Sequence, residues 1–219
     1  MKTCRLTFSV YFLVLLTCML ALDSTGLTAL ALFCAAMHEL GHFFVLALFH
    51  IRIRAISFHV FGVDIDADEG NQLSYRQEAV LALAGVAANF LLCAAMLPCW
   101  HLRVWTGPAQ AIFTVSLFLA LFNLLPVGSL DGGRALEALV CAHATPQTAA
   151  NILQICSVLI LLPAGTFGFW LLIHAHNITL LAAAIYLTVS LIWHGGNVGI
   201  SSNNKSKRGS KKAVEFHLW

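Results

Sequence analysis

Residues 26–49 read GLTALALFCAAMHELGHFFVLALF. The stretch is apolar almost throughout and long enough to cross a bilayer, which takes roughly 20 apolar residues. Yet it holds His38, Glu39 and His42 within HELGH. Ionisable side chains are costly inside a membrane helix and mark functional sites there. On a helix, positions i and i+4 share a face, so both imidazoles can reach one metal ion. Glu39 sits to the side, where it can reach a water on that metal.

The rest of the chain agrees with a membrane setting. Its 219 residues are 59% hydrophobic and only 10% charged, against roughly a quarter charged in soluble domains. No Asp, Glu, Lys or Arg occurs between Arg5 and Asp23, Glu78 and Arg103, Arg103 and Asp131, or Glu137 and Lys205. The expected architecture is an all-α polytopic membrane protein of about six transmembrane helices. They are placed near 6–22, 26–49, 79–99, 108–126, 152–173 and 178–194, with Pro163 and Gly165 marking a bend in the fifth. The first segment follows Lys2 and Arg5 and reads as an anchor in preference to a cleaved signal.

Basic residues cluster on the cytoplasmic side of membrane proteins. With the N-terminus there, six crossings put Lys2, Arg5, Arg52, Arg54, Arg76, Arg134 and the tail's five cations in the cytoplasm, leaving Arg103 outside. Both termini are then cytoplasmic, in what reads as a bacterial cytoplasmic membrane. HELGH and the later Asp131 both fall toward that side. The seven cysteines form no CxxC pair and read as small buried hydrophobes. A net charge of +2 makes no case for nucleic acid.

Residues 1–200 form the expected transmembrane domain, and 201–219 a basic flexible cytoplasmic tail. The polar interval 51–78 alternates, with Val63, Ile65 and Ala67 on one face and Asp64, Asp66 and Asp68 on the other. That period suits a strand, and with IRIR before it and a turn at Gly62 it suggests a short membrane-associated β-hairpin. DIDADEG is no calcium loop, since its sixth position is Glu69 and its twelfth Tyr75.

A catalytic zinc takes three protein ligands and keeps one position open for water. Two histidines therefore call for a third ligand. Asp131 in NLLPVGSLDGGRAL (123–136) is the candidate: Pro126 breaks the preceding helix, and Gly132 and Gly133 let the backbone approach another element. A turn after a helix is the bland alternative for Asp-Gly-Gly.

HELGH followed by N-x-x-P-x-x-x-L-D-G-G resembles the site-2 protease family of intramembrane zinc metalloproteases. AGVAANF (84–90) is similar to that family's G-P-x-x-N motif through Gly85 and Asn89, with Val86 where proline is usual. The resemblance covers about 26–137, the family's three-helix catalytic core. The compact layout is similar to the stage IV sporulation protein FB branch, except that only the basic tail follows the last helix where that branch carries a CBS domain. The resemblance implies Zn2+ on His38, His42 and Asp131, with Glu39 as general base. Asn123 and Asn89 are candidates for holding substrate, with helix packing an equal alternative for each. It further implies hydrolysis of a peptide bond in or near the transmembrane segment of a membrane-tethered protein, such as a transcription-factor precursor or anti-sigma factor. The expected partners are that substrate, the lipid bilayer and regulatory membrane proteins. An edge strand in 51–68 is expected to pair with the unwound substrate.

The rival class is a membrane zinc or divalent-metal transporter, which also sets histidines and acids in helices. The HNxxD-type motif that precedes HExxH in some carriers is absent here. A membrane di-iron oxygenase would need several histidine boxes, including HxxHH, and none is present.

Overall fold

The computed structural model describes residues 5–51, 53–59, 62–67, 73–104, 106–204 and 214–218. In chain order these form β1 (Arg5–Phe8), α1 (Val10–Leu22), α2 (Leu27–Leu48), β2 (Ile53–His59), β3 (Gly62–Ala67), α3 (Tyr75–His101) and α4 (Thr106–Asn123). Then follow α5 (Asp131–Cys141), α6 (Pro146–Ala175), α7 (Thr179–Asn204) and β4 (Val214–Leu218). The chain divides into two compact units, one holding β1 to α4 together with β4, the other α5 to α7.

In the first unit α2, α3 and α4 pack on one another. Small residues make this possible. A Cβ placed on Gly41 of α2 would lie 2.5 Å from the Ala84 carbonyl oxygen and 2.8 Å from the Ala88 Cβ of α3. Glycine and alanine let membrane helices approach this closely, where packing and polar contacts replace the hydrophobic effect as the force between helices. The buried residues of α2 are Cys34, His38, His42 and Leu46, a stripe at spacing four. Its other faces turn outward with Phe33, Leu40, Phe44 and Leu48 exposed, as a helix in lipid presents its apolar surface.

Helix ends are set locally. Asp23 closes the turn into α2: its Oδ1 accepts from the Thr25 and Gly26 amides, and its Oδ2 accepts from the Thr28 amide at 2.6 Å. Gly26 holds the left-handed conformation at φ 75° that this turn demands. Ser74 and Gln77 form a reciprocal capping box at the start of α3.

The strands form one sheet in the order β1-β2-β3-β4. β1 runs parallel to β2, whereas β2–β3 and β3–β4 are antiparallel, with Ile65 opposite Ile56 on one side and Phe216 on the other. This differs from the expectation in two ways. Gly62 begins a strand instead of turning one, and β3 is paired on both edges, so it offers no open edge to a substrate. Residues 201–219 contribute the last turn of α7 and strand β4; 205–213 and 219 lie outside the described residues.

Four helices among the described residues are long and apolar enough to cross a membrane: Leu27–Leu48, Tyr75–Trp100, Thr106–Asn123 and Pro146–Ala175. They match the second to fifth expected spans. The chain is thus an integral membrane protein by its apolar helices. The first and sixth expected spans are helical but shorter, α1 with 13 residues and α7 with an apolar stretch of Thr179–Leu191.

In the second unit α5 packs on α6 and α6 on α7. The Asp-Gly-Gly stretch opens a helix, with Leu130 at its N-cap and Asp131 in its first turn. A Cβ on Gly133 would collide with the Val127 carbonyl, so the expected close backbone approach is made against the chain's own preceding loop. That loop is tied down by the Gly128 amide donating to Ser157 Oγ at 3.2 Å, while the hydroxyl donates to the Leu153 carbonyl at 2.8 Å. Pro163 sits inside α6, which continues as one helix past it.

Candidate metal centre

HELGH lies in the C-terminal half of α2, and its stripe at spacing four carries both imidazoles into the interface with α3. His38 and His42 are each 1% exposed. Their Nε2 atoms face one another at 3.2 Å, with the rings at 74°. Two buried imidazoles thus converge on one point through the same ring atom.

The far side of each ring is held by α3. His42 Nδ1 lies 2.8 Å from the Leu81 carbonyl oxygen. A carbonyl only accepts, so this nitrogen carries the proton, and in the neutral ring Nε2 is left with its lone pair. His38 Nδ1 lies 3.2 Å from the Asn89 carboxamide. Between these contacts stands Gly85. A Cβ there would collide with His42 Nε2 and would lie 2.5 Å from His38 Nε2 and 2.6 Å from His38 Cε1. Leu81, Gly85 and Asn89 recur every four residues, so one face of α3 meets the matching face of α2.

The other expected residues are placed as follows. Glu39 is adjacent to His38 in α2 and half-buried. Asn123 is 2% exposed at the end of α4, its Nδ2 buried with no acceptor among the described residues. Asn89, expected to face substrate or to pack, is fully buried and bonded to His38. Asp131 belongs to the second unit, where it is 5% exposed in the first turn of α5. Negative charge is favoured at that end of a helix. The candidate donors are thus two imidazoles and one carboxylate, each buried where it stands. That set fits zinc, for which two histidines and a carboxylate leave a position open. The lone pair that the Leu81 contact leaves on His42 Nε2 fits it as well.

Sequence reasoning named both histidines but not what holds them. Gly85 and Asn89 entered only through the resemblance, and the Leu81 carbonyl not at all, because a backbone acceptor leaves no mark on residue type. The visible signal was the spacing of four in both helices.

The family model described as Peptidase family M50 matches residues 99–164, which include Asn123 and Asp131. A provisionally named zinc metalloprotease of Synechocystis sp., sll0528, is 34% identical over 119 residues, covering 52% of this chain and 31% of that protein. The stage IV sporulation protein FB of Bacillus subtilis is 27% identical over 160 residues, covering 71% of this chain and 54% of that one. The chain therefore spans about a third and about half of these relatives' lengths. The site-2 protease from Methanocaldococcus jannaschii superposes with a TM-score of 0.57 at 17% identity, covering 98% of this chain and 97% of that one. Residues 99–164 thus carry a Peptidase family M50 segment, and the chain takes the fold of a site-2 protease.

Proposed function

We propose that the protein is an intramembrane zinc endopeptidase that hydrolyses a peptide bond in or near the transmembrane segment of a membrane-tethered protein. The observation that carries this reading is the buried His38–His42 pair, converging through Nε2 beside Glu39 and backed from α3.

In this proposal His38, His42 and Asp131 hold zinc. Zinc supplies a water of lowered pKa and polarises the scissile carbonyl. Glu39 accepts the proton of the attacking water and passes it to the leaving amine. The Asn123 carboxamide, buried with no acceptor for its N–H among the described residues, is proposed to donate to the substrate backbone or to the developing oxyanion. Helices α1 and α7 complete six crossings, with both termini cytoplasmic, and the β2–β3 pair lies at the membrane surface. Substrates of the class of transcription-factor precursors and anti-sigma factors suit such a site, and regulatory membrane proteins are further proposed partners.

Glu39→Gln in a reconstituted cleavage assay with metal analysis tests the reading. The expected result is zinc retained and cleavage reduced by about 10²–10⁴-fold, the usual worth of a general base. Full activity in that variant would sink the mechanism. Zinc flux through the protein in vesicles, without cleavage, would establish the carrier instead.

A further inference from the structure

The carboxamide of Asn89 is fully buried and, among the described residues, hydrogen-bonds His38 Nδ1 at 3.2 Å. Its Oδ1 is buried with no hydrogen-bond partner among the described residues. Burying a whole carboxamide with half its capacity unused is costly, so a role beyond packing is needed. Because Oδ1 makes no other bond, the amide can turn over about its last torsion without breaking anything else. It can meet either tautomer of His38: Nδ2–H donates to a bare Nδ1, and the turned Oδ1 accepts from Nδ1–H. Only the second leaves a lone pair on His38 Nε2, the atom aimed at His42 Nε2. His42 is already held in that tautomer by the Leu81 carbonyl, a fixed acceptor that cannot turn.

We propose that Asn89 is a positioning residue for the metal: its Oδ1 accepts from His38 Nδ1–H and so presents His38 Nε2 as a ligand. On this assignment Asn89 does not contact substrate. Leu81 and Asn89 are then equivalent devices eight residues apart on α3, one supplied by backbone and one by side chain, each fixing the tautomer of one histidine. Gly85 between them leaves room for both rings. The inference rests on the zinc-site reading above, and its test separates the two.

Zinc affinity of the full-length protein in detergent micelles is measured by competition with a chelator. Asn89→Leu, near in volume and without an acceptor, is expected to weaken zinc binding by about 10–100-fold, the usual effect of losing a partner behind a metal-bound histidine. Asn89→Asp keeps an acceptor and is expected to hold zinc at least as well as the wild type. Unchanged zinc affinity in Asn89→Leu, with only KM raised, would overturn the proposal in favour of substrate contact. A wild-type measurement covers the case in which that variant fails to fold. In ¹⁵N-histidine-labelled zinc-loaded protein, the resonances lost in His38→Ala are expected to show a protonated Nδ1 and a metal-bound Nε2. His38 bound through Nδ1 would overturn the inference. If His38→Ala binds zinc as the wild type does, the zinc-site reading itself fails; if that variant loses zinc while Asn89→Leu keeps it, only the role of Asn89 fails.

Discussion

The most exacting residue of the site is one without a side chain. Gly85 occupies the place where any Cβ would meet Nε2 of both His38 and His42. Neither ring can retreat freely, because His42 is fastened to the Leu81 carbonyl and His38 to Asn89. Gly85→Ala is therefore expected to push the imidazoles off convergence, lowering zinc affinity at least tenfold by chelator competition. The overpacking should destabilise the fold by about 1–3 kcal/mol. Wild-type zinc affinity in a folded Gly85→Ala protein would show that the rings have more room than the contacts indicate. Gly41 does a simpler job, bringing α2 against Ala84 and Ala88 of α3, so that the polar contacts of the site have the reach they need. At this scale the pattern HELGH was readable because the i, i+4 relation belongs to a single helix. That Gly85 faces those rings depends on the register of two helices, and no local pattern sets that.

Among the elements, α2 presents the two imidazoles and α3 holds their far sides. The stripes 34/38/42/46 and 81/85/89 meet with neither helix interrupted, so the site sits on rigid elements and not on loops. The start of α2 is held by Asp23, whose carboxyl is kept well below the usual carboxylate range. The Thr25 hydroxyl contributes most, followed by the Thr25 and Thr28 amides. A group with a depressed folded pKa stabilises fully above its unfolded value, about 3.9, and less as pH falls toward the folded one. Asp23→Ala is accordingly expected to lower the thermal midpoint in micelles at pH 7. The gap to wild type should persist to about pH 5 and narrow below about pH 4. A gap that widened on acidification would refute the assignment. Helix spans could be read from charge-free intervals because bilayer thickness dictates their length. The strands were less legible: β3 shows alternation, but its second partner, β4, comes from the far end of the chain. Pairing between segments so distant is decided by tertiary structure, which is why an open edge was expected where a paired strand stands.

For the whole molecule, the distribution of basic residues makes a prediction that the helices allow to be tested. The proposed six crossings would place Arg103 and Asn177 on the outer face and Thr145 in the cytoplasm. A membrane-impermeant thiol reagent is expected to label a cysteine introduced at Arg103 or Asn177 in intact cells, and one at Thr145 only after the membrane is opened. Labelling of all three from one side would rule out the six-crossing topology. The sequence by itself determined the candidates: His38, Glu39, His42 and Asp131 are named by residue type and spacing, and the apolar intervals declare a membrane. These are local properties, carried by a single helix or by the cost of placing charge in hydrocarbon. Only the tertiary structure decided how the imidazoles are held, with Leu81 and Asn89 behind them and Gly85 between, and that Asp131 opens a helix where a turn was the alternative. The reason is that a ring's tautomer and direction depend on what packs against its far side, and here that is the next helix.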